Sequence, residues 1–232
     1  MKKFSIMLIL LTIVGIGFYK SNRFKESIIN QDINDIINNA SALDMNIDIL
    51  YETKSKPESV YKLVENSEAV LVAELIDDSR IGFETEQLSK VRVKEVLKGE
   101  DIDNEIYVYE DIGIYASWYG YPQPPQNGEI FYSGKISTGS NLMETGQQYI
   151  LFLDKLDKSS LDKNTQTFKI SEDKWGIYNI KRNNIEIVSE NNEDITYKDI
   201  KQIDLFVSTE EEKKQYVDFR KEVIKYIDKN TK

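Results

Sequence analysis

The chain contains no cysteine and no histidine, and the two absences remove much of the chemistry on which enzymes of this size rely. Without histidine there is no Ser-His-Asp or Cys-His nucleophile system, no imidazole general base and no HExxH zinc site. Without cysteine there is no disulfide, no thiolate metal centre and no lipid acceptor of the kind exported lipoproteins carry. Proline is scarce too, with 4 residues in 232, so no long Pro-rich linker divides the chain. The fold has to hold by its hydrophobic core, and the length is ample for one.

Charge is missing near the N-terminus. Between Lys3 and Lys20 the run Phe4 to Tyr19 carries none, the layout of a secretory signal or a short membrane anchor. No Ala-x-Ala pair follows it; Gly15 and Gly17 are the available small residues, and cleavage after them would leave a secreted domain. The run is short against the roughly 20 residues of a typical span, but terminal anchors adapt by local thinning and snorkelling of their flanks. We read residues 1–25 as a signal peptide or N-terminal membrane anchor, with retention favoured: a single pass through the cell membrane by residues 4–19, the rest extracytoplasmic. The first 25 residues hold five Lys/Arg and no acid, leaving 25 basic against 40 acidic residues, a net of −15, for everything after. Nucleic acid, which needs clustered cations, is not an expected partner.

After the anchor, Ile29, Ile33, Ile36, Ala40, Leu43, Ile47 and Leu50 step by four and three, the spacing of a heptad seam. Residues 26–56 thus read as a helical stalk or linker through which a homo-oligomer would form. The alternatives are a helix packed on its own domain, or a strand at its end, because Met45, Ile47, Ile49 and Tyr51 also alternate. Pro57 opens a helix over Glu58 to Asn66. Strands are expected at Glu68 to Ile76, Lys90 to Leu97 (closing at Lys98-Gly99), Glu105 to Glu110, Tyr149 to Leu153, Thr167 to Ile170, Trp175 to Ile180 and Ile185 to Val188. Asn183-Asn184 suits a hairpin turn between the last two. A helix is expected over Lys198 to Val207. Thr209-Glu210-Glu211-Glu212 is a capping box for a final helix to about Asn230, which Val217, Val223, Ile224 and Ile227 would dock.

The strand motifs resemble those of a secreted bacterial module with an OB-like barrel of the netrin/tissue-inhibitor-of-metalloproteinases type. The pattern V-x-V-x-x-V-L-K-G is matched by Val91, Val93, Val96, Leu97, Lys98 and Gly99. A later G-x-x-Y-L-L-F-L is matched by Gly146, Tyr149, Ile150, Leu151, Phe152 and Leu153, with isoleucine for one leucine. The resemblance spans roughly residues 67–180 and implies a fold, not an activity: the family's inhibitors chelate a target metal through an N-terminal cysteine, and there is none here. The expected fold class is mainly β with flanking helices (α+β): the N-terminal anchor, a small OB-like β-barrel over residues 57–190, and a C-terminal helical segment over 191–232 with an amphipathic helix. An AT-rich bacterial genome fits the abundance of Ile, Lys, Asn, Asp and Glu.

The most unusual stretch runs from Asp111 to Gly134. It sets Tyr115, Trp118, Tyr119, Tyr121, Phe131 and Tyr132 around Pro122, Pro124 and Pro125. Aromatic rings offer flat apolar faces with polar tips, suited to stacking on sugars or anchoring a protein partner. They equally suit a long connection that folds over a barrel end and buries its own rings. Tyr115, Trp118, Tyr119 and Tyr121 are the candidate ligand-binding residues. The carboxylates at Glu100, Asp101, Asp103 and Glu105 lack the spacing and central glycine of a calcium loop and read as a solvated turn. Ser59 to Lys62 and Ser171 to Lys174 have Ser-x-x-Lys spacing but lack the companion motifs of penicillin-recognising enzymes. No catalytic residue, metal ligand or cofactor is assigned. The expectation is a non-catalytic binding protein whose partner is an envelope protein or cell-wall glycan. The alternatives are an envelope assembly subunit associating through its helices and a carboxylate-based hydrolase.

Overall fold

The computed structural model describes residues 46–49, 55–83, 86–110, 112–116, 132–136, 139–156, 165–187 and 202–230, by backbone alone at 46–49, 77–83, 86, 112–116 and 132–136. Its elements are β1 (Asn46–Ile49), α1 (Val60–Asn66), β2 (Ala69–Phe83), β3 (Glu86–Lys98), β4 (Glu105–Glu110), β5 (Ile112–Ala116), β6 (Tyr132–Ile136), β7 (Gln148–Lys155), β8 (Thr167–Ile170), a 3-10 turn (Asp173–Gly176), β9 (Ile177–Asn179), β10 (Ile185–Ile187), β11 (Leu205–Val207) and α2 (Glu210–Asn230).

Five strands close on themselves. The order β2-β3-β4-β8-β7 returns to β2 through a β2–β7 pairing, with β9 added beside β7. Every pair is antiparallel except β4–β8. Counted along the chain, the barrel strands run 1-2-3-5-4, an arrangement compatible with an OB-like barrel.

Side-chain alternation explains which strands read as continuous apolar runs. On β2, Ala69, Leu71, Ala73 and Leu75 enter the barrel and meet Val91, Ile106, Val108, Tyr149, Leu151, Leu153 and Phe168. Val70 and Val72 point the other way and join Ile150 and Phe152 of β7 in a second core with Trp175, Tyr178, Tyr216, Phe219, Val223 and Ile227. Both faces of β2 and β7 are therefore buried, which demands the unbroken runs at 69–73 and 149–153. β3 and β4 contribute Val91, Ile106 and Val108 to the barrel core, and Lys90 and Arg92 pair with Glu105 on the outside.

The outer core is made by α2, whose buried residues are Tyr216, Phe219, Val223 and Ile227. Val217, Val223, Ile224 and Ile227 dock the helix as expected, Val217 and Ile224 from partly buried positions, and the two rings join them. Trp175 packs edge-on against Phe219 at 5.6 Å, and Tyr216 stacks on Tyr178 at 5.3 Å. Thr209 caps the helix, its Oγ1 accepting from the Glu212 N–H at 3.1 Å, while the Glu212 carboxylate reaches one residue further back than in a capping box and accepts from the Ser208 N–H at 2.8 Å,. Glu212 also meets the buried Lys174 ammonium, which lies 5.9 Å from the Trp175 ring. At the other helix, Lys98 donates to the carbonyls of Val64 (2.7 Å), Glu65 (3.0 Å) and Ser67 (2.6 Å), closing the C-terminal end of α1,. Gly99 follows at φ +116°, a conformation that side chains disfavour,.

Several expectations change. Residues 205–207 form a strand, not the end of a helix: Leu205, Phe206 and Val207 are all buried, which three consecutive residues achieve between two layers. β11 pairs with β10 in parallel. Asn183-Asn184 is therefore not a hairpin turn between β9 and β10. Asn179 Oδ1 instead accepts from the Lys181 and Arg182 amides, and Arg182 pairs with Asp204 at 2.7 Å. Residues 173–176 turn as a 3-10 helix before β9 because the chain crowds there; a Cβ on Gly176 would sit 1.9 Å from the Ser171 carbonyl oxygen. Residues 46–49 are a strand, so Ile47 leaves the heptad seam; its residues from Ile29 to Leu43, and the apolar run 4–19, lie outside the described residues. Among the described residues no helix is long and apolar enough to cross a membrane.

Two outcomes follow. Phe219→Ala is expected to lower stability by about 3–5 kcal/mol in urea titration, whereas Tyr61→Ala, at a side chain 78% exposed, is expected to change it by less than about 0.5 kcal/mol. Burial opposes charge on Glu212, but Lys174 and Ser208 hold its carboxyl below its ordinary value of 4.5. The group therefore adds stability above pH 4.5 that is lost as pH falls through the lower folded value. Glu212→Gln is expected to flatten that acid limb in pH-dependent urea titrations.

Candidate functional site

The candidate aromatic residues belong to the connection between β4 and β7, and the structure shows how that connection is rooted. Glu110 ends β4. The alternation of this strand puts Ile106, Val108 and Glu110 on its buried face, so the carboxylate faces the barrel interior and is 2% exposed. The Ser89 hydroxyl donates to one carboxylate oxygen, and the Met143 N–H donates to the other at 2.6 Å. Gln87, the register partner of Glu110 on β3, is wholly buried beside it, with no hydrogen-bond partner for its carboxamide among the described residues. One carboxylate thus joins the strand where the connection leaves the barrel, the neighbouring strand, and the segment by which the connection returns.

Two residues beyond Glu110, β5 begins. It pairs antiparallel with β6, from Ile112↔Ile136 to Ala116↔Tyr132. The stretch expected as a continuous loop from Asp111 to Gly134 therefore contains the arms of a hairpin. β1 joins the other edge of β6 in parallel, with Asn46↔Ser133 and Ile49↔Ile136. Tyr115 lies on β5 opposite Ser133. Trp118, Tyr119 and Tyr121 fall within residues 117–131, outside the described residues, between the paired positions Ala116 and Tyr132.

The return path is fixed by the chain's C-terminal third. The Phe206 N–H donates to the Gly139 carbonyl at 2.7 Å, and Ser140 bridges to Leu205. Asn141 Nδ2 donates to the Ile203 carbonyl at 2.8 Å. The Glu144 N–H donates to the Tyr149 hydroxyl at 2.8 Å, and burial pushes that phenol well above its ordinary value. Arg182 then spans Glu144 at 2.9 Å and Asp204 at 2.7 Å. Burial works against its charge, yet the two carboxylates hold its pKa above the ordinary arginine value. A cleft lined by Ser140, Asn141, Tyr149, Asn179, Asp204 and Tyr216 encloses about 20 Å³, space on the scale of a water or two and not of a substrate.

The other candidates are engaged in structure. Gln166 clamps the acidic turn by donating to the Asp101 carbonyl at 2.5 Å and accepting from the Asp103 N–H at 3.1 Å. Ser59 caps α1 while Lys62 pairs with Glu65. Ser171 donates to Asp154, and Lys174 is held by Glu212, so in each Ser-x-x-Lys spacing the ammonium is paired with a carboxylate. Among the described residues, no group of three or more Asp and Glu is placed to hold a metal ion. Glu110 and Ser89 were missed in the sequence, although the signal existed: in EIYVYE the last glutamate is in phase with Ile106 and Val108.

No protein-family model matches the chain. A search of curated proteins finds no match either.

Glu110→Ala leaves the Ser89 and Met143 donors buried without their acceptor. It is expected to cost about 1–3 kcal/mol per donor and to speed amide exchange at Met143 and along β5 and β6. Unchanged exchange there would mean that Glu110 does not root the connection.

Proposed function

We propose that this is an extracytoplasmic, membrane-anchored, non-catalytic binding protein that takes its ligand through the aromatic segment carried on an OB-like barrel. The observation that supports the reading most is the rooting of that segment. Tyr115 stands on a paired strand, and residues 117–131 begin and end at the paired positions Ala116 and Tyr132. The base of the connection is tied to the barrel interior by Glu110. A segment with a fixed base loses less entropy on binding than a free loop of the same composition, so its rings contribute more to affinity. Tyr115, Trp118, Tyr119 and Tyr121 are the contact residues, and an envelope protein or cell-wall glycan is the class of partner that suits flat apolar faces with polar tips.

Assembly through the helices has less support. The apolar face of α2 is occupied by the protein's own core, and the heptad seam stops short of Ile47.

Replacing Trp118, Tyr119 and Tyr121 together by alanine in the full chain is expected to reduce capture of isolated envelope material by about tenfold or more, with the thermal midpoint unchanged. Equal capture by the variant and the parent would contradict the proposal.

A further inference from the structure

The inward face of the β3–β4 ladder changes character from rung to rung. Val91 stands opposite Ile106, Ser89 opposite Val108, and Gln87 opposite Glu110. Alternate residues of a strand share a face, so these side chains all point into the barrel. The Val91–Ile106 rung is apolar and belongs to the barrel core. The Gln87–Glu110 rung, at the end of the ladder, is wholly polar, yet it is closed to solvent: Glu110 is 2% exposed, and Gln87 and Ser89 are 0% exposed.

Hydrogen bonds are unevenly shared at that last rung. Glu110 accepts from the Ser89 hydroxyl and from the Met143 N–H at 2.6 Å. Gln87 has no hydrogen-bond partner for Nε2 or for Oε1 among the described residues. Its register partner on the other side, on β2, is Gly82, which has no side chain to offer it. A glycine within a strand often marks a place where another group comes close. A buried carboxamide without partners is costly, because it has given up water on both its donor and its acceptor.

The carboxamide sets the chemistry of the group that would satisfy it. Its oxygen calls for a donor and its –NH2 for an acceptor. A metal ion would answer the oxygen alone. An anion would answer the N–H alone, and against the charge of Glu110. A neutral group that both donates and accepts answers the two together, and water is the smallest of these. A buried water is held by roughly two to four polar partners. We infer that the Gln87–Glu110 rung is a binding site for an internal water. The water accepts from Gln87 Nε2, donates one hydrogen to Gln87 Oε1 and donates the other to the Glu110 carboxylate. It thereby draws Gln87 into the network of Ser89, Glu110 and Met143. This site stands apart from the binding reading above and holds whether or not the aromatic segment meets a partner.

The test is water-selective Overhauser transfer in the isotope-labelled full chain, measured in the laboratory and rotating frames at the Gln87 carboxamide protons. The expected result is a water contact of opposite sign in the two frames, the signature of a held water and not of proton exchange. The contact is expected to persist in Ser89→Ala, which removes the hydroxyl that could relay the signal. Gln87→Leu is expected to lower the urea midpoint, because the water loses the carboxamide that holds it. Carboxamide protons with no water contact would overturn the inference, as would a contact that disappears in Ser89→Ala. A raised midpoint in Gln87→Leu, the result for a buried carboxamide that no group satisfies, would overturn it too.

Discussion

The pairing of β2 with β7 is the constraint on which the rest of the structure depends. It turns a curved sheet into a closed barrel, and it places two strands where neither face meets solvent. The inward faces fill the barrel with Ala69, Leu71, Ala73, Tyr149, Leu151 and Leu153. The outward faces present Val70, Val72, Ile150 and Phe152 to the C-terminal helix. A protein without disulfides needs a core of this kind, and here two cores share one pair of strands. Loss of the α2 contacts exposes the outer face of the two strands on which barrel closure relies.

Closure also explains why the connection between β4 and β7 can carry an unusual sequence. Its two ends come to the same end of the barrel, and there a single buried carboxylate accepts hydrogen bonds from Ser89 and Met143. The remaining contacts of the return path come from β11, Arg182 and Tyr149. Among the described residues, closure of the barrel rests on β2, β3, β4, β7 and β8. β1 adds a third strand to the hairpin of β5 and β6, pairing in parallel with β6 from Asn46↔Ser133 to Ile49↔Ile136.

Much of the barrel was legible in the sequence because its strands announce their burial. Runs such as 69–73 and 149–153 read as two-sided strands, and EIYVYE and TFKI were placed with their observed limits. The V-L-K-G motif has a physical reason in Lys98, which satisfies the end of α1, and in the positive φ of Gly99. What was not legible depended on contacts distant in sequence. Leu205-Phe206-Val207 suits a helix or a strand by composition, and the decision came from Gly139, Ser140 and β10. Trp175 suits a strand by composition, but it lies in a 3-10 turn whose Gly176 approaches Ser171 too closely to carry a side chain. The arms β5 and β6, IGIYA and YSGKI, carry glycine at Gly113 and Gly134, which weakens the strand signal in the sequence,. Of the candidate site, the chemistry was visible and the root was not; the buried glutamate gave itself away only by its phase on β4.

The binding proposal depends on sheet β1-β6-β5, since that sheet pairs Tyr115 with Ser133 and fixes the positions from which residues 117–131 leave and return. Cross-strand nuclear Overhauser contacts in the labelled full chain measure it directly. The account predicts contacts linking Ile47 with Gly134 and Ile114 with Gly134, in the parallel and antiparallel registers respectively, with slow amide exchange in both arms. An intact Ile114–Gly134 contact with no contact from residues 46–49, and with those amides exchanging as in a free chain, would contradict it.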